Sequence, residues 1–167
     1  AGDGGLYVPK EFVRLSMEDI GDLVPMSYQE RARFILKGYL DDFTNDELAD
    51  CVDKAYNTRK FSSNDIAPVV MLNDSLNILE LWHGPTCAFK DMALQILPHF
   101  LVKAMRKTGE KDEIVILVAT SGDTGKAALE GFADVEGTRI IVFYPDGGVS
   151  EVQKRQMVTQ EGGNVLV

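Results

Sequence analysis

Apolar positions change their period along this chain of 167 residues, and each change marks a different kind of element. The period is helical first. Ser27 followed by Glu30 makes a capping box, in which side chains and orphaned backbone amides satisfy one another, so a helix is predicted from Ser27 to about Leu40. Thr44 with Glu47 repeats the device. In the helix it opens, Leu48, Cys51, Val52, Ala55 and Tyr56 recur at i, i+3, i+4, i+7 and i+8, which gathers them on one face and leaves Asp50, Asp53 and Lys54 to water. Beyond it, Val69-Val-Met-Leu72 and Asn77-Ile-Leu-Glu-Leu-Trp82 flank Asn73-Asp-Ser75 and predict two strands around a turn.

From Lys90 a helix should run toward Lys107 and stop before Gly109, with Pro98 either kinking it or starting a second segment. The rest of the chain alternates. Ile114–Ala119 is an unbroken apolar run, Gly125 to about Ala133 is helical, Arg139–Phe143 is a strand, Ser150 to Gln160 a helix capped through Ser150 and Gln153, and Val165–Val167 a last strand. That order is βαβαβ, which requires right-handed crossovers and parallel strands buried on both faces. The fold class is therefore α/β, with a mostly helical N-terminal region, residues 1–75, followed by a parallel three-layer αβα domain, residues 76–167. The boundary is expected between about Asn64 and Asn77.

Composition narrows the partners. Hydrophobic residues at 45% and charged residues at 26% are ordinary for a globular protein, and 167 residues can bury one core or one and a half small domains. The net charge of −9, with no Lys/Arg cluster interleaved with aromatics, argues against nucleic acid. No apolar stretch approaches the roughly 20 residues of a membrane helix, and no basic segment leads into an apolar one at the start, so no membrane partner is expected and the compartment is read as cytosol. Cys51 and Cys87 show no metal spacing and read as thiols. The opening Ala-Gly-Asp-Gly-Gly begins inside a turn signal and reads as a trimmed start.

Two strand-to-helix turns carry the candidate chemistry. Lys90 stands at a helix start behind the apolar Cys87-Ala-Phe89, where the helix dipole and lost solvation both disfavour a cation and favour a nucleophilic amine able to form a Schiff base. The bland alternative is a solvated lysine. The second turn, Thr120-Ser-Gly-Asp-Thr-Gly125, lacks the first glycine of a phosphate-binding Walker loop and one of the spacings of a dinucleotide fingerprint. What remains is a helix start with free amides and the hydroxyls of Ser121 and Thr124, suited to a carboxylate, against the alternative of a plain turn.

Four motifs in order, Gly2-Asp-Gly-Gly-Leu-Tyr-Val-Pro9, His83-Gly-Pro-Thr-Cys-Ala-Phe-Lys-Asp91, Ser121-Gly-Asp-Thr-Gly125 and Tyr144-Pro…Val149-Ser-Glu-Val-Gln153…Gln156-Met157, resemble the threonine synthases. These belong to the fold-type II, tryptophan synthase β-like, pyridoxal-phosphate enzymes. The resemblance spans nearly the whole chain. It implies pyridoxal 5'-phosphate as cofactor, held by Lys90 with Phe89 and Asp123 beside it, and a substrate bound by Thr120, Ser121, Gly122, Thr124, Gly125, Ser150 and Gln153. The implied reaction converts O-phosphohomoserine and water to L-threonine and phosphate. A phospholyase on another phosphorylated amino acid, or a non-catalytic fold-type II binding module, is the alternative. His83 reads as a structural or loop-positioning residue, His99 as a helix residue and Lys126 as surface. Gly162-Gly-Asn164 reads as a helix stop, so the cofactor-phosphate loop and the partner of its ring nitrogen are expected outside this chain. The chain is accordingly expected to be an N-terminal fragment, inactive alone and self-associating through an exposed edge.

Overall fold

A computed structural model describes residues 1–167, which pack as two compact units, Ala1–Val52 and Asp53–Val167. The first unit holds α1 (Met17–Leu23), α2 (Tyr28–Lys37) and most of α3 (Asn45–Ala55). Two of the three predicted capping boxes, those at Ser27 and Thr44, are complete: Ser27 Oγ accepts from the Glu30 N–H, and the Thr44 N–H donates to Glu47 Oε2 at 2.8 Å, whereas the one at Ser150 is only half formed. Helix α1 was not anticipated, although its signal has the same form: Ser16 and Asp19 close a third box, with aspartate in the place where glutamate is usual. Arg31 reaches back from α2 to donate to the Leu23 and Val24 carbonyls, at 2.9 Å each, and so satisfies the C-terminal end of α1. The predicted face of α3 is the one that is buried, from Leu48 through Cys51 and Val52 to Ala55 and Tyr56.

The units divide earlier in the chain than the change of character expected between Asn64 and Asn77. The reason lies in residues 53–66. They look like a connector, yet Phe61 and Ile66 are buried, the Tyr56 hydroxyl donates to the Met92 carbonyl and the Ser62 N–H donates to the His83 carbonyl, all within the second unit.

In that unit β1 (Val69–Asn73) and β2 (Leu76–Leu79) form an antiparallel hairpin around an Asx turn, in which Asn73 Oδ1 accepts from both the N–H and the hydroxyl of Ser75. Strand β2 stops at Leu79, short of the predicted Trp82. The predicted long helix is two segments, α4 (Asp91–Leu94) and α5 (Leu97–Thr108), because Pro98 in the first turn of α5 starts a new helix. Gly109, at φ 73°, ends α5 in the left-handed conformation.

The alternating layer follows as predicted. Strands β3 (Ile114–Ala119), β4 (Thr138–Phe143) and β5 (Val165–Leu166) are parallel in the order β3-β4-β5, linked by α6 (Asp123–Phe132) and α7 (Glu151–Val158). Helix α6 lies on the sheet, and Ala128, Leu129, Phe132, Ile140, Val142 and Met157 form the core beneath it. Of the layers expected, this chain supplies the sheet and helices on one face. The other face carries Val115, Leu117 and Phe143, which are 47%, 66% and 57% exposed.

Candidate active site

Lys90 occupies the N-cap position of α4, and its Nζ lies 4.3 Å from the centroid of the Phe89 ring. The amine makes no hydrogen bond or ion pair, so it is available to an aldehyde. Neither a strong helix dipole nor lost solvation acts on Lys90, contrary to what its sequence neighbours suggest. Helix α4 has only 4 residues, so its dipole is small, and the Phe89 ring is 61% exposed, so the approach to the lysine is wet rather than stripped of water. What distinguishes Lys90 is the loop that carries it.

That loop is closed by Asp91, a fully buried carboxylate that no local pattern singles out. It accepts from the Thr86 N–H at 2.8 Å and the Thr86 hydroxyl at 2.7 Å, and these bonds stabilise a charge that would otherwise be costly to bury. Gly84 abuts it: a Cβ there would stand 2.5 Å from Asp91 Cβ. Cys87 at the tip has φ 56°, so the turn is tight even for a residue with a side chain. The cysteine is an exposed thiol.

The second turn joins β3 to α6. Thr120 organises it from within: its Oγ1 accepts from the N–H groups of Gly122 and Gly125, at 3.2 Å each. Of the amides expected to be free, those two are therefore occupied, whereas the N–H groups of Ser121, Asp123 and Thr124 have no acceptor in the chain. Ser121, Asp123 and Thr124 are exposed, and Gly125 is buried where a Cβ would meet Met157 Sδ at 3.0 Å.

The start of α7 is brought against this turn. Gln153 Nε2 donates to Asp123 Oδ1 at 2.9 Å, and a Cβ on Gly122 would lie 2.6 Å from the same nitrogen. Ser150 caps α7 by accepting from the Gln153 N–H at 3.3 Å, but the reciprocal half of the box is missing because the Gln153 side chain is turned toward Ser150 Oγ and Asp123. Thr120, Ser121, Gly122, Asp123, Thr124, Gly125, Ser150 and Gln153 thus form one constellation. Lys90 and Phe89 form another, on the 84–91 loop.

Lys126, read as surface, is instead largely shielded, with its amine on Glu130 at 3.3 Å and on the Gln160 side chain. Nearby Lys60 has its ammonium pKa lowered by burial, partly offset by attraction to Glu130. The segment 162–164 is not the helix stop it was read as, because α7 already ends at Val158 with Thr159 as its cap; it ties the approach to β5 instead, with the Gly163 N–H donating to Asp134 Oδ1 and the Asn164 amide to the Phe132 and Thr138 carbonyls.

Residues 1–56 match the family model described as threonine synthase N terminus. Over 166 residues the chain is 40% identical to a threonine synthase of Pseudomonas aeruginosa, covering 99% of the chain and 34% of that protein. By sequence and by fold this chain is similar to threonine synthases over nearly its whole length. It spans about a third of the length of such relatives. A protein called threonine synthase-like 1, from Homo sapiens, is also 40% identical, over 98% of this chain and 23% of its own length. Among solved structures, a PLP-bound threonine synthase from Brucella melitensis superposes with a TM-score of 0.84 at 38% identity, over 93% of this chain and 33% of that one. Yeast threonine synthase gives 0.89 at 34% identity, over 99% and 35%.

Proposed function

We propose that these residues form the lysine-bearing part of a pyridoxal-phosphate-dependent carbon–oxygen lyase that converts O-phosphohomoserine and water to L-threonine and phosphate. The observation that carries the reading is the match over nearly the whole chain to threonine synthases, one of them solved with PLP bound. The residues fit such a cofactor and its substrate. Lys90 is half-buried, with an amine free of ion pairs and flanked by an aromatic ring, and three unclaimed amides at the start of α6 suit a substrate carboxylate. The phosphate cradle is not offered by 162–164, whose Gly163 amide is already bound.

Bound pyridoxal 5'-phosphate would supply the electron sink that lets phosphate leave from Cγ and water add at Cβ. Lys90 would hold it covalently and, once displaced by the substrate amine, move protons through Nζ. The amides of Ser121, Asp123 and Thr124 would hold the substrate carboxylate, with the hydroxyls of Ser121 and Thr124 beside them. Asp123, oriented by Gln153, would face the ring hydroxyl, and the lack of a side chain at Gly122 is what lets Gln153 come close enough to orient it. The 167-residue chain alone is expected to release no phosphate, because the cofactor's phosphate loop is not among these residues. The cytosol suits the two thiols, Cys51 and Cys87.

The test uses the protein at its relatives' length, loaded with pyridoxal phosphate and reduced with borohydride. Peptide mass spectrometry should place the cofactor mass on Lys90, and Lys90→Ala should lose both the adduct and phosphate release. An adduct on Lys103, Lys107 or Lys126 would refute the assignment. The equal identity to a threonine synthase-like protein leaves a second substrate in play. Faster phosphate release from another phosphorylated amino acid than from O-phosphohomoserine would favour it.

A further inference from the structure

The entrance to the Lys90 loop is held by a chain of three side chains that the proposed reaction does not use. His83 Nε2 lies 2.6 Å from Glu80 Oε2, and His83 Nδ1 lies 3.0 Å from Ser62 Oγ. Both ring nitrogens are therefore engaged. With a neutral ring, Nε2–H donates to the carboxylate and Nδ1 accepts from the serine hydroxyl, an arrangement that fixes the tautomer and the ring plane together. Trp82 stacks on the ring at 5.8 Å with 29° between planes. The backbone is pinned as well, since the Ser62 N–H donates to the His83 carbonyl at 2.9 Å and the Glu80 N–H to the Pro68 carbonyl at 2.9 Å.

One residue later the loop closes on itself through Gly84, Thr86 and the buried Asp91. Internal closure makes residues 84–91 a stiff unit, but it does not aim that unit. Aim comes from its two attachments. At the exit, α4 packs on α6, where a Cβ on Gly131 would strike the Leu94 carbonyl. At the entrance stands His83, and its ring has little freedom because each nitrogen has a partner.

We propose that His83, held between Glu80 and Ser62, is a positioning residue that sets the direction in which Lys90 presents its amine. The inference rests on the reading of Lys90 above. A nucleophile on a rigid loop loses rate when the loop turns, and a displacement near 1 Å can cost about 100-fold. The Ser62 hydroxyl reaches His83 alone, at ring Nδ1 and more distantly at the carbonyl, and the Ser62 N–H keeps its own bond to that carbonyl, so removing the hydroxyl should misalign Lys90 without unmaking the loop.

The experiment compares Ser62→Ala, Ser62→Thr and His83→Ala with the native protein at its relatives' length. In cofactor-free protein, labelling of Lys90 by trinitrobenzenesulfonate is followed by peptide mass spectrometry, with Lys10 and Lys111 as internal standards. In loaded protein, kcat and KM for phosphate release are measured and the borohydride adduct is mapped. Ser62→Ala is expected to change the Lys90 labelling rate and lower kcat, each about tenfold, with KM within about threefold. The standards should label at native rates, and Ser62→Thr should recover most of the loss. His83→Ala should exceed Ser62→Ala where it folds, and Ser62→Ala decides the matter where it does not. With the adduct on Lys90, native labelling and kcat in Ser62→Ala would overturn this inference alone. So would no recovery in Ser62→Thr, or a parallel rise at the standards, which is the mark of general loosening. An adduct on another lysine would overturn the reading of Lys90 and this inference with it.

Discussion

Asp91 illustrates how a single residue can shape a site it does not enter. It is an acidic side chain with no exposed surface, next to the lysine that carries the proposed chemistry, and Thr86 supplies both of its hydrogen bonds. A buried carboxylate keeps its place only while such partners are present, so the loop tolerates little at Gly84, where any Cβ meets Asp91 at 2.5 Å. Gly84→Ala should therefore lower stability by about 1–3 kcal/mol, as overpacking commonly does. The measurement is the urea midpoint at constant slope, and an unshifted midpoint would contradict the close approach. The sequence displayed Gly84, Thr86 and Asp91 as parts of one motif. It did not display that they touch, because that depends on a turn with a positive φ at Cys87.

Four helices, α1, α2, α3 and α7, are begun by short polar side chains, and that chemistry is legible in the sequence. Ser27 and Thr44 announced their helices, and Ser16 announces α1 once aspartate is admitted at the third position. The caps also carry a pH dependence. Asp19 is held below its ordinary 3.8 and Glu30 below its ordinary 4.5, in both cases first by the hydroxyl and then by the backbone N–H of the capping serine. A carboxylate with a lowered folded pKa stabilises the fold above its unfolded value, and that contribution disappears as pH falls through the folded value. Acid titration followed by amide chemical shifts should show the N–H groups of Ser16 and Ser27 leaving their carboxylate partners below about pH 4. Asp19→Asn and Glu30→Gln should each abolish the step at their own helix. A step that survives in both variants would assign it to other groups.

At the scale of the whole molecule, the feature that stands out is apolar surface left in water. The open face of the sheet carries Val115, Leu117 and Phe143, and every residue of the β1–β2 hairpin strands is exposed, Val69 and Met71 among them. Exposed apolar area on this scale favours association, since each Å² removed from water contributes about 25 cal/mol. The 167-residue chain by itself is expected to self-associate with rising concentration, measured by sedimentation velocity, and Leu117→Lys with Met71→Lys should weaken it. A monomer at every accessible concentration would refute the expectation. The net charge of −9 opposes association, so added salt should strengthen it by screening that repulsion.

The sequence by itself determined most of the elements and their order. Apolar period and capping residues act over a few positions, and so α3, β3, β4 and the parallel βαβαβ alternation were readable from local pattern, as was the strand-to-helix turn at 120–125. Tertiary structure decided what those residues do to one another. Only the folded chain shows Thr120 claiming the amides of Gly122 and Gly125, Gln153 turning from its cap toward Asp123, and His83 joining Glu80 to Ser62. Ser62 precedes His83 by 21 residues and Asp123 precedes Gln153 by 30. No local period relates positions so far apart. Their distances are set by how the strands and helices pack, and the hydrogen bonds form where that packing brings a donor and an acceptor within reach.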